Sequence, residues 1–399
     1  MRLKLSLLGA AALALLAGTA QAQVKIGVLN DMSSLYADIS GKGSVLAAQM
    51  AVEDFGGKVL GKPIEIISGD HQNKPDVGAS IARQWIDTEH VTTIVDVPTS
   101  SVALAIQAVM LEKKHVFLMS GPASSDLSGK NCSPYGFQWV YDTYTLAHGT
   151  GGALVKQGGK TWFFLTSDYA FGHALERDTA AAVTAAGGKV LGEVDHPMNS
   201  QDFSSFLLQA QASKAQVIGL ANAGGDTINS IKQASEFGIV SGGQRLAGLL
   251  VFISDVHALG LKTAQGLTIT SAWYWDMNDE SRAWAKRFMA KSGGKAPTFT
   301  QAGVYSEVLH YLKAVKAAGT VDADPVLAKI RALPVDDFMG HNKHVRPDGR
   351  VDRDFLLLQV KKPEESKYPY DYFKILSTIP ASEALEPLSQ STCPLVKKS

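Results

Sequence analysis

The chain has 399 residues, with 38 Lys and Arg balancing 38 Asp and Glu and a hydrophobic fraction of 45%. That balance lacks the basic excess expected of a nucleic-acid binder. The length exceeds what one hydrophobic core usually holds, so two domains are expected.

At the N-terminus Arg2 and Lys4 precede an apolar run, Leu5 to Ala17, and then Ala20-Gln21-Ala22. A basic start, a short apolar core and small residues at a cleavage site predict a signal peptide over residues 1–22 and an exported protein. The run is too short to span a bilayer comfortably, and no other apolar stretch reaches that length, so the chain is not expected to be membrane-embedded. No Cys follows the cleavage site, which argues against a lipid anchor. The two cysteines, Cys132 and Cys393, are expected to form one disulfide in an oxidising compartment. Neither has a His or Cys at ligand spacing beside it, so no metal site is expected there.

In chain order, short apolar runs alternate with helical periodicity. Strands are expected over 24–29, 64–68, 93–97 and 116–120, with helices over 44–55, 77–88 and 102–113 between them. The rhythm restarts with a helix over 146–157 and strands over 161–166, 189–194 and 217–221, separated by helices over 174–186 and 203–212. A helix over 227–237 follows, and strands over 246–252 and 266–270 are expected to finish a second sheet. Helices over 280–291, 304–318 and 325–332 come next, and strand-like segments over 355–360 and 370–376 precede a Pro-rich tail. Strands interleaved with helices imply parallel sheets covered on both faces. The expectation is an α/β chain of two doubly wound, Rossmann-like lobes. Lobe 1 would comprise 23–140 and 276–347, and lobe 2 would comprise 141–275 and 348–399. The chain would cross between them near 139–142, 271–275 and 344–351.

Ligands of open parallel sheets sit beyond the carboxyl ends of the strands, at helix N-termini. In the first half those loops carry Asp31 to Tyr36, Pro98-Thr99-Ser100-Ser101 and Gly121-Pro122-Ala123-Ser124-Ser125. In the second half they carry Asp168-Tyr169-Ala170-Phe171, Asn222 to Asp226 and Trp273-Tyr274-Trp275. Hydroxyls and helix N-termini on one side, with aromatics and a carboxylate on the other, suit a small ligand with an anionic head. Each feature also has a plainer explanation: Ser100, Ser101 and Asp226 can serve only as helix caps, and Trp273 and Tyr274 can pack a corner.

Enzyme signals are weak. Gly41-Lys42-Gly43 lacks the full dinucleotide fingerprint, and no G-x-S-x-G elbow occurs. His341 and His344 stand in a charged, solvated stretch, and neither His71 nor His173 has an acid or nucleophile partner recognisable from spacing. No cofactor is expected.

Several runs carry a family likeness. They are Ile26-Gly27-Val28-Leu29, Ser33 to Ala37, Ala51-Val52-Glu53-Asp54, Gly61 to Ile66, Asp70-His71-Gln72 before Pro75, Asp168 to Gly172 and Asp202-Phe203-Ser204. With them the chain resembles the leucine/isoleucine/valine-binding family of periplasmic receptors serving ABC importers. The resemblance implies a two-lobed fold with three crossovers, a periplasmic location, and a permease as partner. It implies that hydroxyls such as Ser101 and the Ala123-Ser124 backbone hold a ligand carboxylate, that Phe171 stacks on the ligand, and that Asp226 meets its ammonium. Phe171 stands where the family usually has tyrosine, and Asp226 is one methylene shorter than the usual glutamate. The expected ligand contacts are therefore Tyr36, Ser100, Ser101, Ala123, Ser124, Phe171, Asp226 and Trp273. The ligand would be a branched-chain or related amino acid, or else an aromatic carboxylate of the benzoate or cinnamate type. A monomer without catalytic activity is expected, with a ligand sensor or an enzyme as the rival readings.

Overall fold

The computed structural model describes residues 24–397, so the signal-peptide expectation over 1–22 lies outside the described residues. The first sheet is built from β1 (Val24–Asn30), β2 (Lys58–Val59), β3 (Lys62–Asp70), β4 (Val91–Asp96), β5 (Val116–Met119) and β6 (Gly136–Gln138). Its order is β2-β3-β1-β4-β5-β6, parallel throughout except for the β2–β3 pair. Apart from Lys25, every residue of β1 is buried, as a strand covered on both faces requires. Gly27 lies there because a Cβ would sit 2.4 Å from the Trp85 ring, which the helix Pro75–Asp87 packs onto the sheet.

The second sheet comprises β7 (Thr161–Ser167), β8 (Lys189–His196), β9 (Val217–Ala221) and β10 (Arg245–Gly248), in the parallel order β10-β9-β7-β8. In both sheets the earliest strand is flanked by its successors on opposite sides. β1 lies between β3 and β4, and β7 between β8 and β9. Successive connections therefore leave in opposite directions there, and the loops after those strands splay apart into a crevice.

One expectation needs correction. The strands expected over 246–252 and 266–270 do not finish the second sheet together. β10 stops at Gly248, and residues 249–252 are buried without strand pairing. The helices Ile253–Leu259 and Leu261–Ala264 then carry the chain away, the first started by the Asp255 carboxylate accepting from Phe252 N at 2.9 Å. β11 (Thr268–Ser271) pairs antiparallel with β14 (Phe355–Val360), which pairs with β15 (Phe373–Ile379) in a separate sheet. Between them in sequence lies the hairpin β12 (Val335–Asp337) and β13 (Gly340–Lys343).

Where the chain leaves the first sheet, Gln138 bridges to Arg350, and Gln138 N donates to Gly349 O at 3.0 Å. Four residues on, Asp142 forms a buried ion pair with Arg350 at 2.5 Å, which ties two of the connecting segments together. Cys132 and Cys393 are disulfide-bonded, so the C-terminal tail is fastened to the loop before β6. No helix among the described residues is long and apolar enough to cross a membrane.

Candidate functional site

The crevices of the two sheets face one another. Between them lies a narrow cavity of about 10 Å³, room for about one water molecule, lined by Tyr36, Ile39, Pro98, Gly121, Ala123 and Tyr141 from one side and Tyr169, Phe171, Ala223 and Leu250 from the other.

Local chemistry places these residues. After β1 the Asp31 carboxylate accepts from Ser34 N at 2.9 Å and Tyr36 N at 2.8 Å, folding the loop so that the Tyr36 ring turns inward. Those bonds, with Asn73, hold the Asp31 carboxyl below the usual range despite its burial. After β7, Gly172 permits a tight entry into the helix Ala170–Ala185, because a Cβ would lie 1.9 Å from Ser167 O. That turn brings Tyr169 and Phe171 to the cavity with ring centroids 5.9 Å apart.

The two sides touch. Tyr36 and Tyr169 hydroxyls meet at 2.5 Å, and burial pushes both phenols above their ordinary pKa. Elsewhere, Arg177 pairs with Asp126 at 3.2 Å, and Ser125 Oγ donates to Asp178 at 2.7 Å. Each of these contacts joins a loop of the first sheet to an element of the second.

Asp226 lies in the first turn of the helix Gly225–Glu236 and is 1% exposed. The carboxylate accepts from Asn199 N at 3.0 Å and is also favoured by the Ser200 backbone N–H, while Oδ1 is buried without a well-aligned hydrogen-bond partner. Burial raises its pKa from 3.8 to about 6. Its charge lies close enough to Tyr36 and Tyr169 to disfavour their ionisation. Asp226 itself is not among the residues lining the cavity, and none of those is Lys or Arg.

The sequence match agrees with this architecture: the profile described as periplasmic binding protein covers residues 23–367. The chain belongs to the periplasmic binding protein family. A periplasmic binding protein from Burkholderia mallei has the same fold, with a TM-score of 0.92 and 54% identity over 94% of this chain and 99% of that one. A branched-chain amino acid ABC transporter periplasmic ligand-binding protein from Burkholderia xenovorans LB400 is 43% identical, with a TM-score of 0.83, over 94% of this chain and 100% of that one. A solute-binding protein of an ABC transporter from R. palustris, solved with benzoate, shares the fold at 20% identity. Its TM-score is 0.80 over 90% of this chain and 97% of that one. The fold and family are those of substrate-binding proteins.

In this binding protein, Tyr36, Ala123 and Phe171 line the cavity together. Ser100 and Ser124 are buried beside it, with Ser100 Oγ accepting from Ser124 N at 3.2 Å. Ser101, in the first turn of the helix Ser100–Lys113, is half-buried. Trp273 does not join this group. Its indole N–H donates to Ser281 Oγ at 2.9 Å, and the ring lines a separate small space of about 10 Å³ with Tyr274, Trp275 and Phe299. Tyr169, Tyr141, Ile39, Pro98, Gly121, Ala223 and Leu250 complete the cavity but were absent from the expected contacts. Tyr169 stands in the Asp168 to Phe171 loop that the sequence marks, whereas Leu250 falls where a strand was expected. A wider groove of about 840 Å³ borders the same loop after β1, lined by Met32, Ala37 and Asp38 together with Lys42, Lys291, Lys295, His257 and Tyr370. His173 does have an acid partner: Nε2 meets Asp168 Oδ1 at 2.9 Å, on an exposed surface where Asp195 also lies.

Proposed function

We propose that this periplasmic binding protein captures an amino acid with an apolar side chain of the branched-chain class and delivers it unaltered to the permease of an ABC importer. Asp226 carries this reading. A buried carboxylate with a bare oxygen and no nearby cation is unfavourable, and such charges persist where a partner arrives. A ligand ammonium would be that partner. The ligand carboxylate would then lie against Ser101, the Ala123–Ser124 backbone and the N-terminus of the 14-residue helix Ser100–Lys113. Phe171, Tyr169, Ile39 and Leu250 would enclose the side chain.

In this reading residues 23–140 with 276–347, and 141–275 with 348–399, move as two lobes. Ligand favours the closed arrangement because only there do both lobes contact it. The protein is exported through its N-terminal signal, works as a monomer and catalyses nothing. A second reading, an aromatic carboxylate, draws on the rings of Tyr36, Tyr141, Tyr169 and Phe171 around the cavity and on the R. palustris protein solved with benzoate. It leaves the Asp226 charge, close to Tyr36 and Tyr169, near an anion, so the amino acid is favoured. Differential scanning fluorimetry and calorimetry with leucine, isoleucine, valine and benzoate test this. A ligand that binds only the native state raises the melting temperature. Stabilisation by benzoate with no response to any branched-chain amino acid would overturn the reading.

A further inference from the structure

At the end of β4 the backbone takes an unusual path. Asp96 and Val97 have φ of +76° and +57°, and a β-branched residue such as Val97 is a steric outlier in that region. Two such residues in succession store strain that their surroundings must hold. The very next residue, Pro98, lines the cavity.

The Asp96 side chain is fully buried at the same point. Its Oδ1 accepts from Ser40 Oγ at 3.2 Å and Ser120 Oγ at 3.1 Å, and Oδ2 accepts from Asn30 Nδ2 at 3.1 Å. Each donor adjoins a different stretch of cavity wall. Ser40 follows Ile39, Ser120 precedes Gly121, and Asn30 precedes Asp31, whose carboxylate folds the loop onto Tyr36. Packing confirms the convergence: a Cβ on Gly121 would lie 2.7 Å from Asp96 Oδ1 and 2.6 Å from Pro98 Cα. The backbone is pinned as well, with Asp96 N donating to Glu307 Oε1 at 3.1 Å and Val97 N to Leu29 O at 3.1 Å.

We propose that Asp96 is the positioning residue of the first-lobe ligand wall, touching no ligand itself but holding the loops at 31–40, 97–101 and 120–124 in their binding geometry. An apolar residue would fill a buried site without the desolvation that a carboxylate suffers. The carboxylate differs in being able to gather donors from both ends of the 31–40 loop and from the 120–124 loop at one point, which no apolar side chain does. The proposal rests on the reading that this cavity is the ligand site.

The Asp96→Asn variant tests it. The substitution keeps the size but turns one acceptor into an NH₂ group that opposes Asn30 Nδ2. Hydrogen–deuterium exchange on the full mature chain should quicken in peptides covering 31–40, 97–101 and 120–124, and stay at the wild-type level in β7 to β10. At a temperature where circular dichroism shows the variant folded, leucine should bind at least roughly tenfold more weakly, the scale of a lost charged hydrogen bond. Uniformly faster exchange through the first sheet with unchanged leucine affinity would mean a merely structural role and overturn the proposal, as would unchanged exchange in the three loops. If the wild-type protein binds no leucine, the amino-acid reading fails while loop exchange still decides the role of Asp96. If Asp96→Asn does not fold, Ser40→Ala and Ser120→Ala each remove one donor. Each should loosen its own loop, and neither doing so would also overturn the proposal.

Discussion

The Asp226 carboxyl gives the amino-acid reading a pH signature of definite sign. In the ligand-free protein burial lifts its pKa from 3.8 to about 6, so the folded state holds this proton more tightly than the unfolded chain does. The resulting stability penalty therefore appears as pH rises past 3.8 and is complete above about 6, where it amounts to about 3 kcal/mol at 1.36 kcal/mol per pH unit. An ammonium beside Oδ1 favours the ionised form and offsets that penalty. Below about pH 6 a proton must leave Asp226 before leucine binds, so the dissociation constant should rise by up to about tenfold per pH unit. Benzoate predicts the opposite slope, since protonating Asp226 removes a repulsion. Calorimetric titration from pH 5 to 8 in buffers of different ionisation enthalpy reads both the affinity and the proton released. The Asp226→Asn variant should flatten the slope and weaken leucine binding at neutral pH by about 1.5–3 kcal/mol. A leucine affinity that is flat across this range, or that tightens as pH falls, would refute the assignment of Asp226 to an ammonium.

Three further outcomes are expected. Tyr169→Phe removes the hydroxyl that meets Tyr36 across the cavity, which should weaken the closed state and leucine binding by about 0.5–1.5 kcal/mol; small-angle scattering with saturating leucine should show whether closure persists. Arg350→Met strands the buried Asp142 carboxylate and should reduce stability by about 3–5 kcal/mol in denaturant unfolding, whereas replacing both partners by apolar residues should be far milder. Replacing both Cys132 and Cys393 by serine removes a cross-link spanning 261 residues and should lower stability by about 2–5 kcal/mol, visible as a lower melting temperature under non-reducing conditions.

The alternating architecture was legible because β1, β4, β5, β7 and β9 are apolar runs buried on nearly every side, so composition alone separates them from amphipathic helices. The departure at residues 249–252 was not legible. A buried apolar run reads the same whether it pairs in a sheet or packs between helices. The site was partly readable for a related reason. Strand ends mark where loops gather, which brought out Tyr36, Ala123 and Phe171, but not which ring of a loop faces inward. Tyr169 was named in its loop but left out of the expected contacts, because its partner, Tyr36, is 133 residues away. Trp273 reads as a cleft aromatic by composition, yet its indole N–H is committed to Ser281 and its ring to Trp284 and Phe338. The donors that converge on Asp96 come from 24 to 66 residues away, a distance over which no local pattern operates.

The bond between Cys132 and Cys393 turns the greater part of the chain into one covalent ring. A protease that nicks an exposed loop anywhere inside that ring leaves a single molecule, its severed ends held by the bridge. Such a protein runs as one band on a gel until a thiol is added, and only then falls into two fragments. In a compartment shared with secreted proteases, a receptor built this way stays in one piece after a first cut.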